Sequence, residues 1–404
     1  MDLTVAATLP DDLVVEILSR LPFKSFCRFK CVCKTWLAFS SNPNYHENLP
    51  KIPTGLFCQY QDLNKKATKL IGQPRNVEQI DGALSFLPQY PQLKLMDSCN
   101  GLVLCMRRSM DWSNRTIIYH FIVCNPATRE WTKLPDTRPY QEHGICEAML
   151  VFNPSCSPQF YVLNFKRDPL ASFLRGLEVF SSNLSTWLVY DTWWTSGMPN
   201  VIGYPHLFID GSLYLFSLRR NSRRILVLNG FEAVSSCIPP NRRTIKLPND
   251  PSVESPNGHT VGMYTQGLFG HSLGALHFAL PEVDGRAIRI WSLDVSKPYK
   301  WSMKHRLSMR DVFGRDDLDH YDSTQQSRNC AYRIAALDLE SDVMFLFDQE
   351  NKLRSYAIST GKLHEINDTE QDHERSYDKF FYYIASYLKL PGSVPLPQLY
   401  LSKT

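Results

Sequence analysis

The stretch Asn100 to Pro135, NGLVLCMRRSMDWSNRTIIYHFIVCNPATREWTKLP, carries the pattern from which the fold is read. A short apolar run (Asn100–Met106) follows a tight-turn dipeptide. A polar tip interrupts it, and an aliphatic run begins at Thr116. A second turn then leads into Trp131. Runs rich in β-branched and aromatic residues, separated by turn residues, read as antiparallel strands and hairpins. The same order returns four times. AMLVFNP, FYVLNF and LEVFSSNLSTWLVY make one copy. PHLFIDGSLYLFSL, RILVLNGFEA and TIKLP make the next. GLFGHSLGALHFAL with AIRIWSLDVSKPYKWSM, and YRIAALDLESDVMFLF with KLRSYAISTGKLHEI, make the last two. Trp131, Trp187, Ile245, Trp301 and Leu363 stand at equivalent places, 56 to 62 residues apart. A multi-stranded unit recurring at this period predicts a β-propeller.

The apolar, aromatic segment Tyr377 to Leu390 reads as a closing strand. Residues 53–98 together with 377–390 then form a composite blade, which removes an open sheet edge. Five visible units and this composite predict about six blades, with five or seven as alternatives.

The chain ahead of the propeller is different. Leu9 to Tyr45, LPDDLVVEILSRLPFKSFCRFKCVCKTWLAFSSNPNY, has helical spacing. Pro10 suits a first helical turn, and Asp11 and Asp12 favour the positive end of the helix dipole. Val14, Ile17, Leu18 and Leu21 form one apolar stripe. Pro22 stops the helix. Phe26, Phe29, Val32, Cys33, Trp36 and Leu37 continue the pattern in a second run. Some forty helical residues cannot bury so many large side chains among themselves. The surplus surface packs either on the rest of the chain or on a partner.

Leu9-Pro10, Ile17-Leu18, Leu21-Pro22 and the run Arg28, Cys31, Val32, Lys34, Trp36 resemble an F-box. DSCNGLVLC (Asp97–Cys105) followed by VCNPATREWTKLP (Val123–Pro135) resembles the signature of the kelch-like F-box-associated domain of plant F-box proteins. The kelch Gly-Gly and the Trp-Asp of other propellers are absent. These resemblances imply an all-α F-box over residues 9–48, an all-β propeller over 49–390, and short tails at 1–8 and 391–404. They imply that Leu9, Pro10, Ile17, Leu18, Leu21, Pro22, Val32, Lys34 and Trp36 dock on a Skp1-type adaptor, and through it on a cullin and a RING protein. The implied role is target recognition for a ubiquitin ligase, without catalysis by this chain. A non-degradative scaffold is the alternative within the same resemblance.

Composition sets outer bounds. The 404 residues are 43% hydrophobic with a net charge of +4, enough for a large core and without the basic excess of a dedicated nucleic-acid binder. No run of eighteen apolar residues calls for a membrane span, and MDLTVAATLP lacks the basic start of a secretory signal. Eleven irregularly spaced cysteines fit reduced, buried thiols in cytoplasm or nucleus. No cofactor or metal motif is present.

Three stretches invite chemistry. Gly270-His271-Ser272-Leu273-Gly274 matches a nucleophile elbow, the basis of an alternative reading as a Ser272 hydrolase, but Pro281 leaves little room for the helix the elbow needs. A hairpin tip fits better. Arg219, Arg220, Arg223 and Arg224 flank Asn221-Ser222, a further hairpin tip, and with Arg242-Arg243 and the pair Trp193-Trp194 are candidate target contacts. The Asp-rich loop Arg310–Asn329 lacks calcium-ligand spacing.

Overall fold

The computed structural model describes residues 10–21, 25, 54–62, 65–72, 80–88, 92–141, 145–154, 156–167, 174–190, 201–219, 222–248, 267–272, 275–282, 286–294, 299–314, 332–339, 342–348, 352–366 and 377–392. Among the described residues, helix α1 (Asp11–Ser19) stands ahead of twenty-four strands.

The strands form six antiparallel sheets arranged as blades. The first blade joins the two ends of the propeller: β1 (Thr54–Asp62) pairs with β2 (Lys65–Ile71) on one side and with β24 (Tyr377–Ile384) on the other. The second holds β3 (Lys94–Cys99), β4 (Leu102–Asp111), β5 (Thr116–Asn125) and β6 (Glu130–Lys133), with the short β7 (Tyr140–Gln141) added against β5. The third is β8 (Ile145–Phe152), β9 (Phe160–Arg167), β10 (Leu174–Ser181) and β11 (Thr186–Tyr190). The fourth is β12 (Val201–Ile209), β13 (Ser212–Arg219), β14 (Ser222–Asn229) and β15 (Asn241–Lys246). The fifth is β16 (Leu268–Ser272), β17 (Ala275–Pro281), β18 (Ala287–Asp294) and β19 (Lys300–Ser308). The sixth is β20 (Arg333–Asp338), β21 (Val343–Phe347), β22 (Leu353–Ala357) and β23 (Lys362–Glu365).

The innermost strands β3, β8, β12, β16, β20 and β24 contact one another in succession, and β24 returns to β3. The ring is therefore closed with six blades, and the composite blade is real. Its boundary differs from the sequence reading. Residues 94–99 belong to the second blade as β3, not to the composite, because the Asn100-Gly101 turn (φ 47° and 90°) hairpins them directly onto β4.

The core lies between blades. Phe121, Phe152, Phe160 and their neighbours fill the space between the second and third blades. Equivalent clusters join the third to the fourth, the fourth to the fifth, the fifth to the sixth, the sixth to the first and the first to the second. Each blade thus buries both faces, so its strands need apolar residues on alternate and often adjacent positions. Outermost strands face water and read polar: in β19 only Leu307 is buried.

Trp131, Trp187, Ile245, Trp301 and Leu363 all lie on the outermost strands β6, β11, β15, β19 and β23. Trp187 Nε1 donates to Pro135 O at 2.7 Å, and Trp301 Nε1 donates to Lys246 O at 2.9 Å. Each indole ties its blade to the rim of the blade before. The five landmarks recur because each stands on the outermost strand of its blade.

The DSCNGLVLC and NPATREWTKLP stretches fasten the ring. Asp97 is buried; its Oδ2 accepts from the Leu150 N–H of β8 at 2.7 Å, and its Oδ1 pairs with His206 Nε2 of β12 at 2.9 Å. Asn100 Nδ2 donates to Phe152 O at 2.7 Å. Asn125, fully buried, donates to Ser386 O and Leu388 O, and Glu130 Oε2 accepts from Leu390 N–H at 2.9 Å. The second blade thereby holds the neighbouring third and fourth blades and the segment that follows β24.

Candidate functional site

Helix α1 begins where Pro10 (φ −55°, ψ 145°) ends extended backbone. Pro10 is therefore the capping residue rather than part of the first turn, and its carbonyl accepts from the N–H groups of Leu13 and Val14. The helix ends at Ser19, before Pro22, with Arg20 and Leu21 closing tighter bonds to Ile17 and Leu18. Glu16 and Arg20 pair along the exposed side.

The expected single stripe is split between two faces. Val14, Val15 and Leu18 are buried within the chain, Leu18 completely. Leu13 and Ile17, one turn apart, are 51% and 50% exposed. Leu21 is half-buried and Pro10 exposed. Of the expected adaptor contacts, Ile17 and Pro10 are open to a partner, whereas Leu18 serves the chain's own packing. Leu9, Pro22, Val32, Lys34 and Trp36 lie outside the described residues, as do Trp193, Trp194 and Arg220.

The β13–β14 hairpin pairs Arg219 with Ser222, Leu218 with Arg223 and Ser217 with Arg224. Ser222, expected at the tip, therefore belongs to β14. Arg242 and Arg243 do not join it. Arg242 pairs with Leu228 near the other end of the blade, about 17 Å along the strand from Arg223 at ~3.4 Å per residue. Arg243 instead lies over the Tyr299 ring at 5.5 Å. The basic pairs form two separate groups.

Ser272 is not on a nucleophile elbow. It ends β16, pairs with Ala275, and leads into strand β17 rather than a helix. Gly270 has another reason to be glycine: a Cβ there would stand 2.8 Å from the Leu337 side chain of β20. The close approach of two innermost strands produces the motif. Of the Arg310–Asn329 loop, Arg310 to Phe313 lie in α2 (Met309–Phe313) and Gly314 follows it; Asp316, Asp317 and Asp319 are outside the described residues.

A constellation that motif spacing did not show lies at the far end of the second blade. Ser109 Oγ is 2.7 Å from His120 Nε2, and His120 Nδ1 is 2.6 Å from Asp136 Oδ1. Ser109 lies on β4 and pairs with Ile118; His120 lies on β5 and pairs with Arg107, so Arg107, Ser109 and His120 share one face. Asp136 follows β6. Leu134 N–H donates to Phe121 O and Thr137 Oγ1 to Tyr119 O, which carries Asp136 alongside His120. The adjoining tip is held by Asp111, whose carboxylate accepts from Ser113, Asn114 N–H and Asn114 Nδ2. These bonds hold the Asp111 carboxyl below its ordinary value, and the tip presents Trp112 at 79% exposure.

Burial pushes the Cys99, Cys124 and Cys146 thiols well up, so they stay protonated. Among the described residues no group of three or more His, Cys, Asp or Glu is placed to hold a metal ion.

Residues 7–48 match the family model described as F-box domain. F-box protein At5g07610 of Arabidopsis thaliana is 30% identical over 198 residues, covering 46% of this chain and 45% of that protein. F-box protein At5g49610 is 32% identical over 148 residues, with 34% and 36% covered. F-box protein At5g65850 is 24% identical over 305 residues, with 74% and 70% covered. The chain thus spans about half or less of the first two relatives. Among solved structures, a DUF4784 family protein from Bacteroides caccae is 8% identical with a TM-score of 0.39, covering 84% of this chain and 75% of that one. An oligogalacturonate lyase in complex with manganese is 12% identical with a TM-score of 0.34, covering 78% and 84%. Likenesses this low carry no argument about chemistry.

The fold defines a six-bladed β-propeller with a helical segment in front. Residues 7–48 match the F-box domain, and the chain is similar to plant F-box proteins of Arabidopsis thaliana.

Proposed function

We propose that this chain is the target-receptor subunit of an SCF-type ubiquitin ligase. The F-box docks on a Skp1-type adaptor, which links it to cullin and RING protein, and the propeller holds a target protein. The observation that carries this reading is the exposed Leu13–Ile17 pair on α1, inside the segment that matches the F-box domain. The receptor works by proximity: it raises the target's effective concentration near a ubiquitin-charged enzyme carried elsewhere in the ligase. It needs no covalent chemistry of its own and acts in cytoplasm or nucleus. The β13–β14 tip with Arg219, Arg220, Arg223 and Arg224, and the pair Trp193-Trp194, are the proposed target contacts, suited to acidic or phosphorylated segments.

The test is co-purification of the full chain with a plant Skp1-type adaptor, wild type beside Ile17→Asp. Capture by wild type and loss in the folded variant supports the reading. Equal capture by both, or capture by neither, overturns it.

A further inference from the structure

We infer that Ser109, His120 and Asp136 form an acyl-accepting serine site on the second blade, a nucleophilic activity separate from the receptor role. The polarity of the hydrogen-bond chain carries the inference. A serine nucleophile needs a neutral imidazole whose Nε2 faces the hydroxyl and whose Nδ1–H is fixed by a carboxylate. Here Nε2 is 2.7 Å from Ser109 Oγ, and Nδ1 is 2.6 Å from Asp136 Oδ1. The reverse orientation would leave Oγ without a base. The competing acceptor, Ile118 O, is at 3.5 Å, so the imidazole holds the closer contact.

The site is fixed by the sheet and not by a loose loop. Ser109 and His120 lie on paired strands in an unbroken register from Val103–Cys124 to Asp111–Thr116. The imidazole is 14% exposed and Ser109 is half-buried, so the pair is shielded yet reachable. Asp136 is 47% exposed and weaker as an orienting group than a buried carboxylate. Arg107 stands two residues from Ser109 on the same face and directly across from His120. It makes no ion pair among the described residues and can supply positive charge to a developing oxyanion. Trp112, 79% exposed, offers an apolar ledge at the tip. The substrate class this suits is a carboxylic ester bearing negative charge.

The step balances within the site. Ser109 Oγ adds to the ester carbonyl carbon as its proton passes to His120 Nε2. The carbon–alkoxide bond then breaks, and the proton leaves with the alcohol. Water, deprotonated by the same nitrogen, adds to the acyl carbon. The bond to Oγ breaks, Ser109 recovers a proton, and a carboxylic acid is released.

The experiment is labelling of the purified full chain with a fluorophosphonate probe, followed by peptide mapping. The rate is compared in wild type, Ser109→Ala, His120→Gln, Asp136→Asn and Ser272→Ala, each checked for an unchanged melting temperature. The expected result is a label on Ser109, abolished in Ser109→Ala. His120→Gln slows it roughly a hundredfold and Asp136→Asn about tenfold, because general-base assistance contributes at that scale. Ser272→Ala labels like wild type. A folded wild type that takes no label on Ser109 overturns the inference. So does a Ser109 label whose rate is the same in His120→Gln, since a merely exposed hydroxyl owes nothing to the imidazole.

Discussion

The side-chain amide of Asn125 donates to the carbonyl of Ser386, 261 residues further along the chain, at 2.8 Å. The same amide reaches Leu388 O at 2.9 Å, and Asn125 Oδ1 accepts from Ala127 N–H. One buried side chain thus joins the second blade to the segment that closes the ring. Replacing it with Ala leaves two carbonyls without their donor. At about 1–3 kcal/mol for an unmet buried polar group, Asn125→Ala is expected to cost about 3 kcal/mol. Urea unfolding measures this, and limited proteolysis should then cut first between residues 385 and 392. A variant as stable and as resistant as wild type would remove Asn125 from the closure.

Gly101 tests the same closure by shape. Its φ is +90°, and a Cβ there would sit 2.2 Å from Ser386 Cβ. Gly211 has a similar φ of +72° with nothing within 4 Å of its virtual Cβ. Gly211→Ala should therefore cost only the left-handed backbone, about 1 kcal/mol. Gly101→Ala adds a clash with the closing segment and should cost at least twice as much. Equal melting temperatures for the two variants would show that Ser386 moves aside freely.

On α1 the contrast is between neighbours. Ile17 is half exposed and Leu18 fully buried. Ile17→Asp should leave the melting temperature within about 2 °C of wild type, as surface changes do, and abolish adaptor capture. Leu18→Asp buries an unpaired charge and should cost roughly 3–5 kcal/mol, unfolding the F-box itself. Circular dichroism beside co-purification separates these. Loss of helix in Ile17→Asp would mean that the residue serves internal packing.

The sequence reading reached the blade pattern because its cause is local and repeated. Apolar strands between turn residues follow from burial of both blade faces, and the tryptophans at 187 and 301 recur because each indole bonds the rim of the preceding blade. It placed residues 94–98 in the wrong blade because β3 and the composite's strands are equally apolar; only pairing distinguishes them. It could not divide the α1 stripe, since Val14 and Ile17 share a spacing but not a neighbour. The Ser109–His120–Asp136 chain was invisible for a different reason. Its members are 11 and 16 residues apart, and strand register, not a motif, brings them together. Conversely, Gly270–Gly274 matched a motif whose glycine answers to Leu337 packing.

The inter-blade indoles give a fourth test. Trp187→Phe and Trp301→Phe keep most of the ring contacts with Phe180 and Phe278 but lose the N–H donor to Pro135 O and Lys246 O. Each should cost about 1 kcal/mol. The two sites lie in different inter-blade layers, so the double variant should show the sum within roughly 0.5 kcal/mol. A double variant no weaker than the singles would mean that the rim bonds are not separate fastenings.

His277 sets an acid limit on the fifth blade. It lies in β17 between Gly270 and Ser292, 9% exposed, and its Nδ1 is buried with no hydrogen-bond partner among the described residues. Burial pushes its pKa down to about 4 from an ordinary 6.5, with Lys304, His271 and His305 adding repulsion. In the folded chain the imidazole stays neutral until near pH 4; in the unfolded chain it protonates from about 6.5. Between these values the unfolded state binds more protons, so stability falls as pH falls through that window. His277→Leu removes this contribution while other groups keep theirs. Melting temperatures at pH 7.5, 5.5 and 4.5 should therefore drop less steeply in the variant than in wild type. Parallel slopes would show that the imidazole takes up its proton as readily folded as unfolded.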